Sequence, residues 1–293
     1  MMLNRKIALG TVQFGIDYGV TNQCGRTPPE EAIRIISLAK KAGINTLDTA
    51  IGYGDSEKVL GEIGVSDFQV VTKLPALPKD LIDVGVWVKD QINSSLTRLK
   101  NLTLYAVLLH RPADLLGGNG AALFKALEKL KDDELIEKVG VSIYDPDELD
   151  AISTMMAIDL VQAPLNVIDR RLQTSGWLHR LKDAGIEIHT RSTFLQGLLL
   201  MNRNDIPAKF GRWSDMWDQW CQQLNKSGIT GLRACLSYPM SLSEVDRVVV
   251  GVDSAKQLED ILAAASTFYQ SLDTSFMVST EEQLINPSQW RSL

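Results

Sequence analysis

Four side chains in this sequence have the types and placement to move a proton. The stretch Asn45 to Glu57, NTLDTAIGYGDSE, carries Asp48 and Tyr53; Lys73 closes the apolar run QVVT, and His110 closes YAVLL. A free phenol titrates near ~10 and is a poor acid-base group at neutral pH. A nearby ammonium stabilises its phenolate and a carboxylate holds the ammonium in place. That logic assigns the proton to Tyr53, the supporting charge to Lys73 and the anchor to Asp48. His110 is suited to hydrogen-bond and orient a carbonyl oxygen. Such a set polarises a carbonyl and protonates the alkoxide as a hydride arrives. No side chain donates a hydride, so this chemistry requires a nicotinamide cofactor.

Taken singly, each residue has a plainer role. Asp48 would be a loop or helix cap, Tyr53 packing, Lys73 a solvated strand end, and His110 a loop histidine before Pro112. Taken together these roles lose ground, because a lysine and a histidine beside buried strands need partners to offset desolvation. A different chemistry open to the same residues is Schiff-base formation on Lys73, as in an aldolase.

The elements that position these residues follow one rhythm. KIALGTVQF, from Lys6 to Phe14, reads as a first strand turning at Gly15. Thr27, Pro28 and Glu30 form a capping box for the helix EEAIRIISLAKKAG, which stops at Gly43. INTLDTA, FQVVTKLP, LYAVLLHRP, KVGVSIY, DLVQAPLNV, IEIHTRSTF and SEVDRVVVGVDS are the further strands. Between them stand the helical segments SEKVLGEIG, DVGVWVKDQINSSLTRLK, AALFKALEKLKDDELI, DPDELDAISTMM and RRLQTSGWLHRLKDAG, with AKQLEDILAAASTFY last. The stretch Leu198 to Gly231, with Trp213, Trp217 and Trp220, is less regular, and the tail from about Thr274 has no strand pattern.

Eight strand-then-helix units without a composition break predict a single (β/α)8 TIM barrel over residues 1–293, with its active site at the C-terminal strand ends. Asp48, Lys73 and His110 each occupy such an end, so all four groups converge on one face. An open doubly wound sheet would place a Gly-rich phosphate turn after the first strand, and GTVQFGIDYG does not match it.

The totals agree. The chain has 293 residues, 45% of them hydrophobic and 23% charged, enough to bury a large core. Its 36 acidic and 30 basic residues are interspersed and sum to −6, which argues against a nucleic-acid surface. Cys24, Cys221 and Cys235 match neither a disulfide framework nor a metal site. There is no secretory h-region and no span apolar enough for a bilayer, so a cytoplasmic protein is expected. Oligomeric state leaves no mark in the sequence.

DTAIGYGDSE, VTKL, LLHRP, GVSIY, VQAPLNV, RSTFLQGLL and VVGVDSAKQLEDIL occur in this order, and in them the chain resembles the aldo-keto reductases over essentially its whole length. The resemblance implies a catalytic tetrad of Asp48, Tyr53, Lys73 and His110, NAD(P)H bound in an extended pose, no metal, and a small-molecule carbonyl substrate, with sugar-derived carbonyls among the candidates. Ser142 and Gln162 match positions that hold the nicotinamide carboxamide. Ser192, Leu195, Gln196 and Gly197 match the pyrophosphate loop, and Gly251, Asp253, Ser254, Gln257 and Asp260 the adenosine half.

Three positions depart from the family pattern. Arg191 stands where an aromatic residue often stacks on the nicotinamide, a role a guanidinium plane can share. Ile143 replaces a common asparagine. Asp253 stands where many members carry Arg or Lys for the 2′-phosphate of NADP. Family habit, with Lys256 near enough to compensate, favours NADP, and Asp253 makes NAD its rival. Two further readings stand beside the reductase: the Lys73 aldolase, and a barrel that binds cofactor with little turnover. Substrate choice is expected to rest on the loop GIDYGVTNQCGR, the segment around Trp87, the Arg203 to Trp220 region and the tail, with Trp213, Trp217 and Trp220 as candidate pocket residues.

Overall fold

Eight short apolar runs become eight parallel strands: β1 Ile7–Gly10, β2 Thr46–Asp48, β3 Gln69–Leu74, β4 Leu104–Leu109, β5 Ile136–Ser142, β6 Leu160–Pro164, β7 Glu187–Arg191 and β8 Arg247–Gly251. This computed structural model describes residues 3–20, 22, 25–266 and 272–293. Cys24, and Thr267 to Tyr269 at the end of the last predicted helix, lie outside the described residues. The strands pair in chain order and close, β8 on β1, into the expected barrel. A parallel strand covered on both faces carries apolar residues at nearly every position, as β4 and β6 do.

The outer layer is α1 Pro29–Lys41, α2 Ser56–Ile63, α3 Val84–Leu99, α4 Gly120–Asp132, α5 Glu148–Met155, α6 Arg171–Thr174, α7 Trp177–Asp183, α8 Ser214–Ser227, α9 Gly231–Ser241 and α10 Ala255–Ser266, with α11 Glu282–Ile285 in the tail. Trp87 lies in the first turn of α3, packed against the barrel core. Register sets Gly10 beside both Asp48 and Gly251, and Lys73 beside Leu108, so the C-terminal strand ends form one rim.

Several local readings are corrected. β1 stops at Gly10, and Val12–Phe14 is a 3-10 turn that swings the chain across the rim. Thr27 does not cap α1: Pro28 is the N-cap residue, and the Thr27 hydroxyl is buried without a partner among the described residues. α4 ends at Asp132, because Glu134 takes positive φ and Ile136 opens β5. RRLQTSGWLHRLKDAG is two helices, broken at Gly176 with φ of 80°. The less regular stretch holds α8, and RACLSYPMS lies in α9 with Pro239 inside it.

The N-terminal end of the barrel is plugged by a polar cluster. Both Glu187 oxygens are engaged: Tyr105 Oη donates to it at 2.6 Å, Lys138 Nζ donates to the same oxygen, and His189 Nε2 lies 2.7 Å from the other. Burial works against the Glu187 charge. The bonds from His189, Lys138 and Tyr105 outweigh it and hold the carboxyl far below the usual range.

A second apolar core lies outside the barrel. Phe210, Trp217 and Trp220 meet Met277, Leu284, Ile285 and Trp290 of the tail, and Leu195, Leu198 and Leu199 from the loop after β7. Three indole N–H groups donate to backbone, Trp217 to Phe210 O at 3.1 Å, Trp220 to Leu199 O at 3.2 Å and Trp290 to Leu284 O at 3.2 Å, whereas that of Trp213 is buried without a partner among the described residues. Phe210 and Trp290 pack edge to face at 4.9 Å. Trp213, Trp217 and Trp220 are therefore packing residues, and none lines the central cavity.

Candidate active site

β2, β3 and β4 deliver the four predicted residues to one side of the rim. Lys73, 1% exposed at the end of β3, donates to both Asp48 oxygens at 2.7 and 2.8 Å and to Thr49 O at 2.9 Å. Those three bonds use all the donors of an ammonium. Gln162 Nε2 adds a 2.7 Å bond to Asp48 Oδ1. Lys73 Nζ lies 5.2 Å from the Tyr53 ring centroid, and the rings of Tyr53 and His110 meet edge-on at 5.9 Å. Asp48, Tyr53 and His110 line the cavity, whereas Lys73 sits beneath them and off its wall. That placement narrows the expectation that four groups face the pocket to three.

Electrostatics fix the protonation states. Burial, and then the Asp48 charge, push the Tyr53 phenol well up; Arg191 pulls it the other way. Burial, Lys73 and Arg191 together push His110 down to about 4, so its imidazole is neutral at physiological pH. Burial also lowers the Lys73 ammonium against the pull of Asp48.

The loop carrying Tyr53 is held by close backbone contact. A Cβ on Gly15 would lie 1.7 Å from Tyr53 O, and Gly54, at φ of 55°, passes so close that its own Cβ would meet Gly15 O at 2.5 Å. Only glycine permits this approach. Ser56 Oγ, fully buried, donates to Thr11 O at 2.8 Å and lies 3.1 Å from Thr49 Oγ1, tying the loop to the ends of β1 and β2.

A cavity of about 490 Å³ runs from Tyr53 and His110 across the rim to the start of α10. Of the residues matched to cofactor binding, Ser142, Gln162, Arg191, Ser192, Gln196, Gly197, Gly251, Asp253, Gln257 and Asp260 line it. Ser142 Oγ bonds Gln162 Oε1 at 3.3 Å. The other two matched residues do not line the cavity. Leu195 is fully buried in the second core, and Ser254 Oγ accepts from Gln257 N at 3.2 Å in the first turn of α10.

Ser192, Leu195 and Gln196 hold φ of 62°, 45° and 52°. Such backbone costs about 1–3 kcal/mol per residue and persists only where surroundings enforce it. Burial of Leu195, Leu198 and Leu199 in the second core supplies that enforcement. The N–H groups of Thr193, Phe194 and Gln196 have no acceptor among the described residues. Gln13 Oε1 and Thr193 Oγ1, both on the cavity-lining residues, are buried and unpartnered. Free donors in a strained loop suit an anionic bridge such as a pyrophosphate, and the two orphaned oxygens suit a polar ligand. The residues present thus fit a dinucleotide. No group of His, Cys, Asp and Glu among the described residues could hold a metal ion.

Two side chains escaped sequence reasoning. Gln13, on the 3-10 turn after β1, packs against Gly251, where a Cβ would meet its Nε2 at 2.5 Å. Tyr144, inside the quoted GVSIY, takes the Arg191 guanidinium at 4.4 Å from its ring centroid. Arg191 also donates to Ile143 O at 2.9 Å and Ser192 Oγ at 3.2 Å. Ile143 itself is buried in the barrel core.

The chain is similar to known proteins in sequence and in fold. A 6-dehydroglucose reductase of Novosphingobium aromaticivorans is 31% identical over 164 residues, 50% of this chain and 52% of that protein. An aldo-keto reductase of Mycobacterium sp. (strain KMS) is 28% identical over 192 residues, 60% of this chain and 63% of that protein. The matched region therefore spans only about half to three-fifths of these relatives' length. Among solved structures, an aldo-keto reductase of Bacillus halodurans in its holo form superposes with a TM-score of 0.75 at 19% identity, covering 95% of both chains. The glycerol dehydrogenase of Gluconobacter oxydans gives 0.69 at 21% identity, covering 92% of this chain and 88% of its own. The family model described as the Aldo/keto reductase family matches residues 6–279, and the chain belongs to that family.

Proposed function

We propose that residues 1–293 act as one barrel domain that reduces an aldehyde or ketone to an alcohol with a nicotinamide cofactor, Tyr53 giving the proton. The observation that carries this reading is the edge-on pairing of Tyr53 and His110 at the cavity wall, with the Lys73–Asp48 pair buried beneath. Bound nicotinamide supplies the hydride. Ser142 and Gln162 hold its carboxamide, the loop from Ser192 to Gly197 its bridging phosphates, and Gly251 to Asp260 the distal nucleoside.

The neutral His110 ring donates to the carbonyl oxygen and sets it against the Tyr53 hydroxyl. Burial keeps Tyr53 protonated until charge develops on that oxygen. Lys73 acts through its charge 5.2 Å from the ring, since its three donors are already committed. The same commitment, and its place off the cavity wall, count against a Schiff base on Lys73. The relative's name, 6-dehydroglucose reductase, supports a sugar-derived carbonyl as substrate.

The test is a panel of carbonyl compounds assayed with NADH and with NADPH, comparing the native chain with Tyr53→Phe. Turnover is expected to fall about 10³-fold in the variant while cofactor affinity holds. Undiminished turnover would remove Tyr53 as the donor.

A further inference from the structure

We infer that the distal end of the cavity selects NAD(H) over NADP(H), with Asp253 accepting hydrogen bonds from the ribose hydroxyls of the adenosine half. The inference rests on the nicotinamide reading above and adds the choice between its two cofactors.

The topology fixes which end is distal. Asp48 and His110 come from the ends of β2 and β4, and β4 stands four strands from β8 around the closed barrel. Asp253, Gln257 and Asp260 follow β8, so a dinucleotide whose nicotinamide meets Tyr53 must bring its other nucleoside to them.

Charge at that end runs one way. Among the described residues lining the cavity, Arg191 is the only lysine or arginine, and it belongs to the β7 end where Tyr144 and Ile143 hold it. Lys256, the sequence's candidate partner for a 2′-phosphate, is 73% exposed, donates to Asp260 Oδ1 at 2.7 Å and does not line the cavity. What the distal wall offers is Asp253 and Asp260.

Asp253 is also half-buried at the cavity wall, open to a ligand there. Its backbone N–H is held by Gln257 Oε1 at 2.7 Å, and its carboxylate takes a long 3.5 Å bond from Asn22 Nδ2, with the Gln257 side chain as a second donor. Burial pushes the Asp253 carboxyl up, against a side-chain hydrogen bond from Gln257 that pulls it down. Ribose hydroxyls are donors from which a carboxylate can accept, and a carboxylate on a ribose 2′-OH is a recurrent way to choose NAD. A 2′-phosphate would instead set a dianion against the Asp253 carboxylate, with Lys256 turned to Asp260.

The experiment is direct binding, by fluorescence or calorimetry, of NADH, NADPH, ADP-ribose and 2′-phospho-ADP-ribose to the full chain. NADH and ADP-ribose are expected to bind at least about 30-fold more tightly than their 2′-phosphorylated counterparts, a ratio equal to roughly 2 kcal/mol. Asp253→Asn should shrink that ratio at least fivefold, and Lys256→Met should leave NADPH affinity within twofold. Equal or tighter binding of NADPH, or a tenfold loss of NADPH affinity in Lys256→Met, overturns the inference and leaves the reductase reading standing. Binding of neither dinucleotide overturns the reductase reading itself.

Discussion

The two ends of the barrel use the same four kinds of side chain to opposite effect. At the N-terminal end Lys138, Tyr105 and His189 all turn to the Glu187 carboxylate, and the second ring nitrogen of His189 is buried without a partner among the described residues. At the C-terminal end Asp48 takes Lys73 alone of the corresponding three, and Tyr53 and His110 turn instead to a cavity. Reactivity resides in what pairing leaves over. A cluster that turns ammonium, phenol and imidazole to one carboxylate holds the fold together; one that pairs its charges and leaves a phenol and a neutral imidazole at a cavity keeps those groups for a ligand.

Paired substitutions should break this comparison most sharply. Tyr105→Phe, the counterpart of Tyr53→Phe, is expected to leave turnover within about twofold. It should lower stability by about 1.5–3 kcal/mol, the usual range for losing a hydrogen bond to a charged group, measured by denaturant melts. A loss of turnover in Tyr105→Phe matching that in Tyr53→Phe would erase the distinction between the two ends.

A smaller effect is expected from Gly15→Ala. Its methyl group would collide with Tyr53 O, so the loop must shift, and a displacement near ~1 Å at a catalytic group costs on the order of 10²-fold in rate. Steady-state kinetics should show that loss in kcat, with the N-terminal cluster intact and the barrel folded by circular dichroism. Unchanged kcat would show that Tyr53 needs no such clamp.

The smallest expected effect is in pH dependence, and the two ends should separate there. The folded His110 titrates at about 4, below its unfolded value near ~6.5. The unfolded chain therefore binds the proton first as pH falls, and stability is lost between those two values. Glu187 is depressed in the folded chain, so its contribution is full above the unfolded carboxyl value near ~4.3 and is lost as pH falls below it. The melting temperature should accordingly fall between pH 6.5 and 4.5 in the native chain, and less so in His110→Gln. Turnover should show no protonation step near 6.5; a step there would place a charged imidazole at the site.

The barrel was legible because parallel strands buried on both faces announce themselves as apolar runs, and because strand-end residues such as Lys73 and His110 interrupt those runs at a fixed place. The errors cluster where distant contacts decide the outcome. Thr27 has the residue type of a cap, yet Pro28 takes the N-cap position and Thr27 is buried. Leu195 sits at a matched position, but its side chain is claimed by a core that also draws on Trp217 and Trp290. α8 could not be separated from loop because its buried face is completed by tail residues such as Met277. Gly15 was visible only as a turn; its contact with Tyr53 joins two loops far apart in sequence.

The second core also imposes an order of events during synthesis. Domains begin to fold while the chain is still emerging, and all eight strands are complete by Gly251. Met277, Leu284, Ile285 and Trp290, which pack with Leu195, Leu198 and Leu199, come later. A nascent chain stalled between these points holds every residue of the eight strands and both members of the Lys73–Asp48 pair. It would still lack the packing that holds the loop after β7, so that side of the cavity is among the last parts of the protein to take shape.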